Sequence, residues 1–244
     1  MTESRFLKYN QEFEMFGNQH LITFLFFLFT GFFLIQWAKK ISVKKQDFVG
    51  NLIAFSLSFT IIAWTAIKIY LHGFNLKEDL PFHLCNVIAL FLPIFSITKN
   101  KTIYEIIFFW IFAGTTHSVI TPDLTDGFPN FIFFKYWYVH AGLIIFIFYA
   151  TIVYGFKPNL KSVFKSFLAL QIYIAFMFLI NYLTNANYFY TNHKPNGATA
   201  LDYLGDWPTY IYVAELIMIP YFLLFLIFAY ICLNTERGPT CCFT

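Results

Sequence analysis

The sequence predicts an all-α fold: a polytopic membrane protein built as a bundle of seven transmembrane helices. Three observations predict it. Hydrophobic residues make up 59% of the 244 residues and charged residues only 12%, against roughly 25% charged in a soluble domain, and mean hydropathy is +0.62. Seven apolar stretches can be marked along the chain, most near the about 20 residues that a spanning helix needs. Basic residues gather in alternate loops, as they do in multi-span proteins. One transmembrane domain, residues 1–244, is expected, with no room for a soluble one.

The first stretch, 19–37, follows a polar start from Met1 to Gln19. That start lacks an apolar core with a small-residue cleavage site, so no cleavable signal peptide is expected and the first span should direct insertion. The second stretch, 48–71, ends at His72. The third, 82–98, is short and holds Pro93, which predicts a kink or partial burial; Pro81 suits its first turn, with Asp79 just upstream. The fourth, 103–121, leaves at Thr121-Pro122-Asp123. The fifth, 132–155, and sixth, 163–184, are uninterrupted. The seventh, 208–233, begins with Pro208 after Asp206, a residue able to cap it. The longest loop is Asn185–Trp207, and no internal repeat is visible.

Orientation follows from the basic residues. Lys39, Lys40, Lys44, Lys45, Lys99, Lys101, Lys157 and Lys161 fall in or beside the first, third and fifth loops, with Lys165 and Arg237 flanking the same side. Glu78, Asp79, Asp123, Asp126, Asp202 and Asp206 fall in the other three. The expected topology puts the N-terminus outside and the C-terminus in the cytoplasm; Arg5 and Lys8 run mildly against it. Four cysteines, Cys85, Cys232, Cys241 and Cys242, give no disulfide framework, and the last two read as a tail.

Titratable groups collect near the outer face. With about 1.5 Å of rise per residue, Cys85 lies about 6 Å below the start of the third span, His140 about 7–8 Å past Lys135, and Glu215 about 10 Å past Pro208. His117 lies at a similar depth on the fourth span. Polar groups are costly in hydrocarbon, so such a cluster is a site hypothesis. Cys85 sits near a helix N-terminus, where the dipole favours a thiolate. His83 is two residues away and faces elsewhere, so an imidazole from another helix is the better base, and His140 suits by depth. Cys plus His is the minimal pair for covalent acyl transfer. His117 and Glu215 are expected to orient His140, and Asn86 or His83 to donate to an oxyanion. Asp202, Trp207 and Tyr210 are expected to form a rim that admits lipid.

The same residues carry a family resemblance. Pro-Phe-His-Leu-Cys-Asn at 81–86, Thr-Pro-Asp at 121–123 with Phe128-Pro129, His140, Asn181-Tyr182, and Leu-Asp-Tyr-Leu-Gly-Asp-Trp-Pro-Thr-Tyr at 201–210 resemble the YwaF-like family of bacterial integral membrane proteins. That family is related to a vertebrate transmembrane acyltransferase that moves polyunsaturated acyl chains onto ether lysophospholipids. The resemblance implies a bacterial inner-membrane acyltransferase with Cys85 as nucleophile and His140 as its partner. Thr184-Asn185-Ala186-Asn187 and Gly205-Asp206 depart from the family pattern.

The expected function is therefore a lipid acyltransferase or transacylase acting on phospholipids or lysophospholipids, with membrane lipids as partners, no cofactor, no metal and no nucleic acid. Because the site is expected to face outward, a phospholipid donor suits it better than acyl-CoA. Two alternatives stand beside it. One is a metal-dependent lipid hydrolase using His83, His117 and His140 with Cys85 or an Asp, against which no His pair stands at i, i+4. The other is a non-enzymatic transporter or receptor.

Overall fold

A computed structural model describes residues 12–195 and 199–235. Arg5, Lys8, Arg237, Cys241, Cys242 and the side chain of Cys232 lie outside the described part. The apolar stretches fold as α1 (Asn18–Ala38), α2 (Val43–His72), α3 (Leu84–Thr98), α4 (Lys101–Ile120), α5 (Phe131–Ile152), α6 (Leu160–Thr184) and α7 (Thr209–Thr235). Among the described residues, six of these, all but α3, are long and apolar enough to cross a membrane. The third has only 15 residues, about 22 Å of helix, which falls short of a hydrocarbon core of about 30 Å.

Two features of α3 and α4 differ from expectation. Pro81 does not open α3. Its N-cap is His83, in an extended conformation. Tertiary contacts hold the preceding residues extended: the Leu80 N–H donates to the Tyr188 hydroxyl, the Phe82 carbonyl accepts from Tyr173, and the Phe82 ring packs edge-on against Tyr188 and Phe176. Asp79 is likewise no cap; Lys68 and the Asn75 N–H hold its carboxylate. In α4 the α-helical ladder breaks into a π-helical turn at Ile111–Thr115 before resuming at Thr116–Ile120. Such turns carry one extra residue and re-aim the side chains beyond them.

The core is shared by the middles of α2 to α7. Leu57, Ile88, Leu92, Phe95, Phe108, Phe109, Leu143, Phe146 and Phe222 are all buried there. Gly142 lets α5 approach α2, since a Cβ at that position would meet Leu57 Cδ2 at 2.6 Å. The outward faces are apolar as well, with Phe26, Phe29, Phe33, Phe59 and Leu168 exposed. A bundle apolar inside and out gains little from the hydrophobic effect in lipid. Close packing and interhelical hydrogen bonds hold it instead, the latter worth about 0.6 kcal/mol each.

Those bonds concentrate at the end formed by the α1–α2, α3–α4 and α5–α6 connections. Ser96 donates to Asn51 Oδ1 at 2.7 Å, Tyr149 to the Gln46 carbonyl at 2.8 Å, and Trp110 Nε1 to the Ser166 carbonyl at 3.2 Å. Lys99 pairs with Asp47 at 3.2 Å and covers the Tyr154 ring at 3.6 Å. Buried Glu105 pairs with Lys165 and also accepts from Asn159. The opposite end is made by the longer segments 73–83, 121–130 and 185–208. Tyr188 ties the first to the third by donating to the Leu76 carbonyl at 2.9 Å, and two short 3-10 turns, Tyr188–Tyr190 and Ala200–Leu204, give the third its shape.

Candidate functional site

Cys85 is the second residue of α3, and no side chain caps the helix start. Its thiol is partly buried, with Sγ 3.5 Å from Thr115 Oγ1 and the Ser118 hydroxyl within bonding reach. Thr115 is wholly buried and ends the π-helical turn. The extra residue of that turn thus helps aim two hydroxyls of α4 at the sulfur. Lys135 and Tyr136 of α5, Tyr173 of α6 and Tyr190 of the long loop lie within electrostatic reach of the same atom.

His140 is fixed by its own helix. Its Nδ1 lies 2.7 Å from the Tyr136 carbonyl, and its ring is 4.2 Å from that of Tyr136. A carbonyl can only accept, so Nδ1 carries the proton and a neutral ring keeps the Nε2 lone pair free. Tyr136 itself donates to the Ser118 carbonyl at 2.9 Å. It thereby joins the surroundings of the two predicted catalytic residues: its ring touches His140, and its hydroxyl sits over the turn that carries Ser118. No hydrogen bond runs directly between Cys85 and His140. Lys135 is within electrostatic reach of both, and of His83.

The remaining predicted residues divide. His83 packs its ring against Tyr188 and Tyr190, at 5.8 and 5.1 Å, and is within electrostatic reach of His140. Asn86 donates its backbone N–H to the His83 carbonyl, and no contact of its side chain points to an oxyanion role. His117 does not orient His140: it stacks on Tyr221, with Nε2 2.9 Å from the Tyr221 hydroxyl. Glu215 accepts from Gln171, not from His140. The backbone carbonyl of Tyr136 fills the orienting place assigned to these two side chains.

The expected rim is a structured loop. Asp202 caps the second 3-10 turn by accepting from the Thr199 N–H at 2.8 Å. Trp207 Nε1 donates to the Thr191 carbonyl at 3.0 Å. Tyr210 is buried and donates to the Tyr190 carbonyl. Burial pushes the Tyr190 phenol up to about 12, and neighbouring Asp123 adds to the shift, so this hydroxyl stays protonated at neutral pH. Beneath the loop lies a cavity of about 800 Å³, lined in part by Lys77, His83, Asn185, Tyr190 and Trp207. Cys85 and His140 do not line it.

Sequence reasoning missed Thr115, Ser118, Tyr136 and Lys135 as neighbours of the sulfur. Only Lys135 left a signal, as a charge inside an apolar stretch. Among the described residues no three His, Cys, Asp or Glu side chains come together to hold an ion, so the donors for the metal-hydrolase alternative are not assembled.

The chain belongs to the TMEM164 family, whose family model matches residues 15–226. The match runs from just before α1 to within α7, and with the six apolar helices it makes this a multi-pass membrane protein. No curated protein and no solved structure matches the chain.

Proposed function

We propose that this TMEM164-family chain is a lipid acyltransferase of the transacylase type, with Cys85 as nucleophile and His140 as general acid and base. The observation that carries the proposal is the pairing of an uncapped helix start bearing a thiol with an imidazole whose Nδ1 is held by a carbonyl. The first favours a sulfur anion and the second leaves Nε2 able to take its proton. The motif likeness to the YwaF-like family and its vertebrate relative supports the same chemistry. The basic-loop count supports an outward site, N-terminus outside and C-terminus cytoplasmic, and hence a phospholipid donor. A bacterial inner membrane is the proposed location.

The Sγ–H proton passes to Nε2 of His140, directly as the site tightens on substrate or through one water. The thiolate attacks the ester carbonyl carbon of the donor, the carbon–oxygen bond breaks, and the departing lysophospholipid oxygen takes the proton from His140. The acyl group then rests on Cys85 as a thioester. The acceptor lysophospholipid hydroxyl gives its proton to Nε2 and attacks the thioester. The carbon–sulfur bond breaks, and the sulfur recovers the proton. The α3 N-terminus faces the negative charge that builds on the carbonyl oxygen, and Trp207 and Tyr210 are proposed to shape the rim.

The test is acyl transfer between a labelled phospholipid and a lysophospholipid in vesicles containing purified protein. Cys85→Ala is expected to abolish transfer, and full transfer by that variant rejects the proposal. A second reading, a non-enzymatic transporter or receptor, draws on the 800 Å³ cavity. Solute-dependent stabilisation without any acyl transfer by the purified protein selects it.

A further inference from the structure

Lys135 is the unmatched charge of this neighbourhood. It stands in the second turn of α5, partly buried, and no carboxylate pairs with it among the described residues. The next cation, Lys68, is already matched by Asp79 at 2.7 Å and Glu78 at 3.6 Å. An ammonium held away from water without a counter-charge is costly, and such residues inside spanning helices mark function by default. The groups facing the Cys85 sulfur are the Thr115 and Ser118 hydroxyls of α4, Lys135 and Tyr136 of α5, Tyr173 of α6 and Tyr190 of the loop. None is a carboxylate, and Lys135 is the one cation among them. His83 and His140 stand within reach of the same ammonium.

We infer that the Lys135 ammonium is the counter-charge of the Cys85 sulfur, stabilising the thiolate from which the nucleophile attacks. Burial alone opposes ionisation of a thiol, hydroxyls supply only partial charge, and a neighbouring lysine is the usual means of making a thiolate available at neutral pH. Lys135 acts through Cys85 and is a positioning residue. The inference rests on the reading of Cys85 as nucleophile, but its test does not depend on acyl transfer.

The test uses the full chain in vesicles with Cys232, Cys241 and Cys242 replaced by Ser, leaving Cys85 as the only thiol. Alkylation by N-ethylmaleimide is followed as a function of pH. Lys135→Met is expected to lower the rate at neutral pH about tenfold and to move the midpoint of the profile up by about one pH unit. Lys135→Gln should do the same with a polar side chain, which guards against misfolding of the first variant. Lys135→Arg, which keeps the charge, should retain most of the rate. Neutral variants that label with the parent's rate and midpoint overturn the inference, and so does an Arg variant that behaves like the neutral ones. A Lys135-dependent profile in a protein that transfers no acyl group leaves the charge pair standing and ends the acyltransferase reading instead.

Discussion

The two ends of the bundle use charge in opposite ways. At the end formed by the short connections, polar groups are matched: Lys99 with Asp47, Lys165 with Glu105, Ser96 with Asn51, and two tyrosine hydroxyls on the Gln46 carbonyl. At the end formed by the long loops, Lys68 is matched by Asp79, but Cys85, His140 and Lys135 crowd together with no carboxylate among them. Helix-helix hydrogen bonds substitute for the hydrophobic effect inside lipid, so the matched end reads as the clasp of the bundle. The unmatched end keeps polar groups at an energetic cost that packing does not explain, and so reads as the site.

This contrast can be broken or sharpened by substitution. The largest effect is expected at the site: His140→Gln should cut acyl transfer 10²–10⁴-fold, the range for loss of a general base, with little change in unfolding temperature. A large loss of stability with unchanged transfer per folded molecule would reverse the assignment of the two ends. Next is the clasp. Lys165→Met leaves the Glu105 carboxylate, whose side chain is 5% exposed, without its cation, and should destabilise by about 2 kcal/mol in detergent melting while transfer by the folded fraction persists.

A smaller effect is expected at Asp79. The Lys68 ammonium, followed by the Asn75 N–H, holds its carboxyl below the usual carboxylate range. The unfolded value is about 3.9, so this contribution is complete above it and is lost as pH falls through the lower, folded value. With Lys68 partly exposed, about 1 kcal/mol is expected. Stability should decline on acidification below about pH 4, and Asp79→Asn should flatten that part of the profile. The smallest effect is Gly50→Ala. Its Cβ would stand 1.9 Å from the Tyr154 hydroxyl, displacing that ring from the clasp. Overpacking outweighs the gain in helix propensity by about 1 kcal/mol, seen as a lower melting temperature with unaltered Cys85 labelling.

Much of the bundle was legible because hydropathy and length fix where apolar helices run. Each expected stretch corresponds to a helix, with ends shifted by a few residues. The start of α3 was misplaced because proline propensity at Pro81 was overridden by three contacts from α6 and the long loop, from residues about 90 to 110 positions away. The π-helical turn of α4 has no sequence signature, so Thr115 and Ser118 could not be aimed at Cys85 in advance. Cys85 and His140 were readable as rare titratable groups at one depth. The Tyr136 carbonyl was not, because a backbone acceptor four residues back exists for every helical histidine. His117 and Glu215 shared the expected depth, yet each found a neutral partner on another helix. Depth alone does not give direction around a helix axis.

The most direct test is peptide mapping of the wild-type chain after incubation with a phospholipid carrying an alkyne-tagged acyl chain. A hydroxylamine-sensitive acyl adduct on Cys85, accumulating when no lysophospholipid acceptor is present and discharged when it is added, is the result expected. Acyl transfer that proceeds with Cys85 unmodified, and at the same rate in Cys85→Ser, would contradict the account.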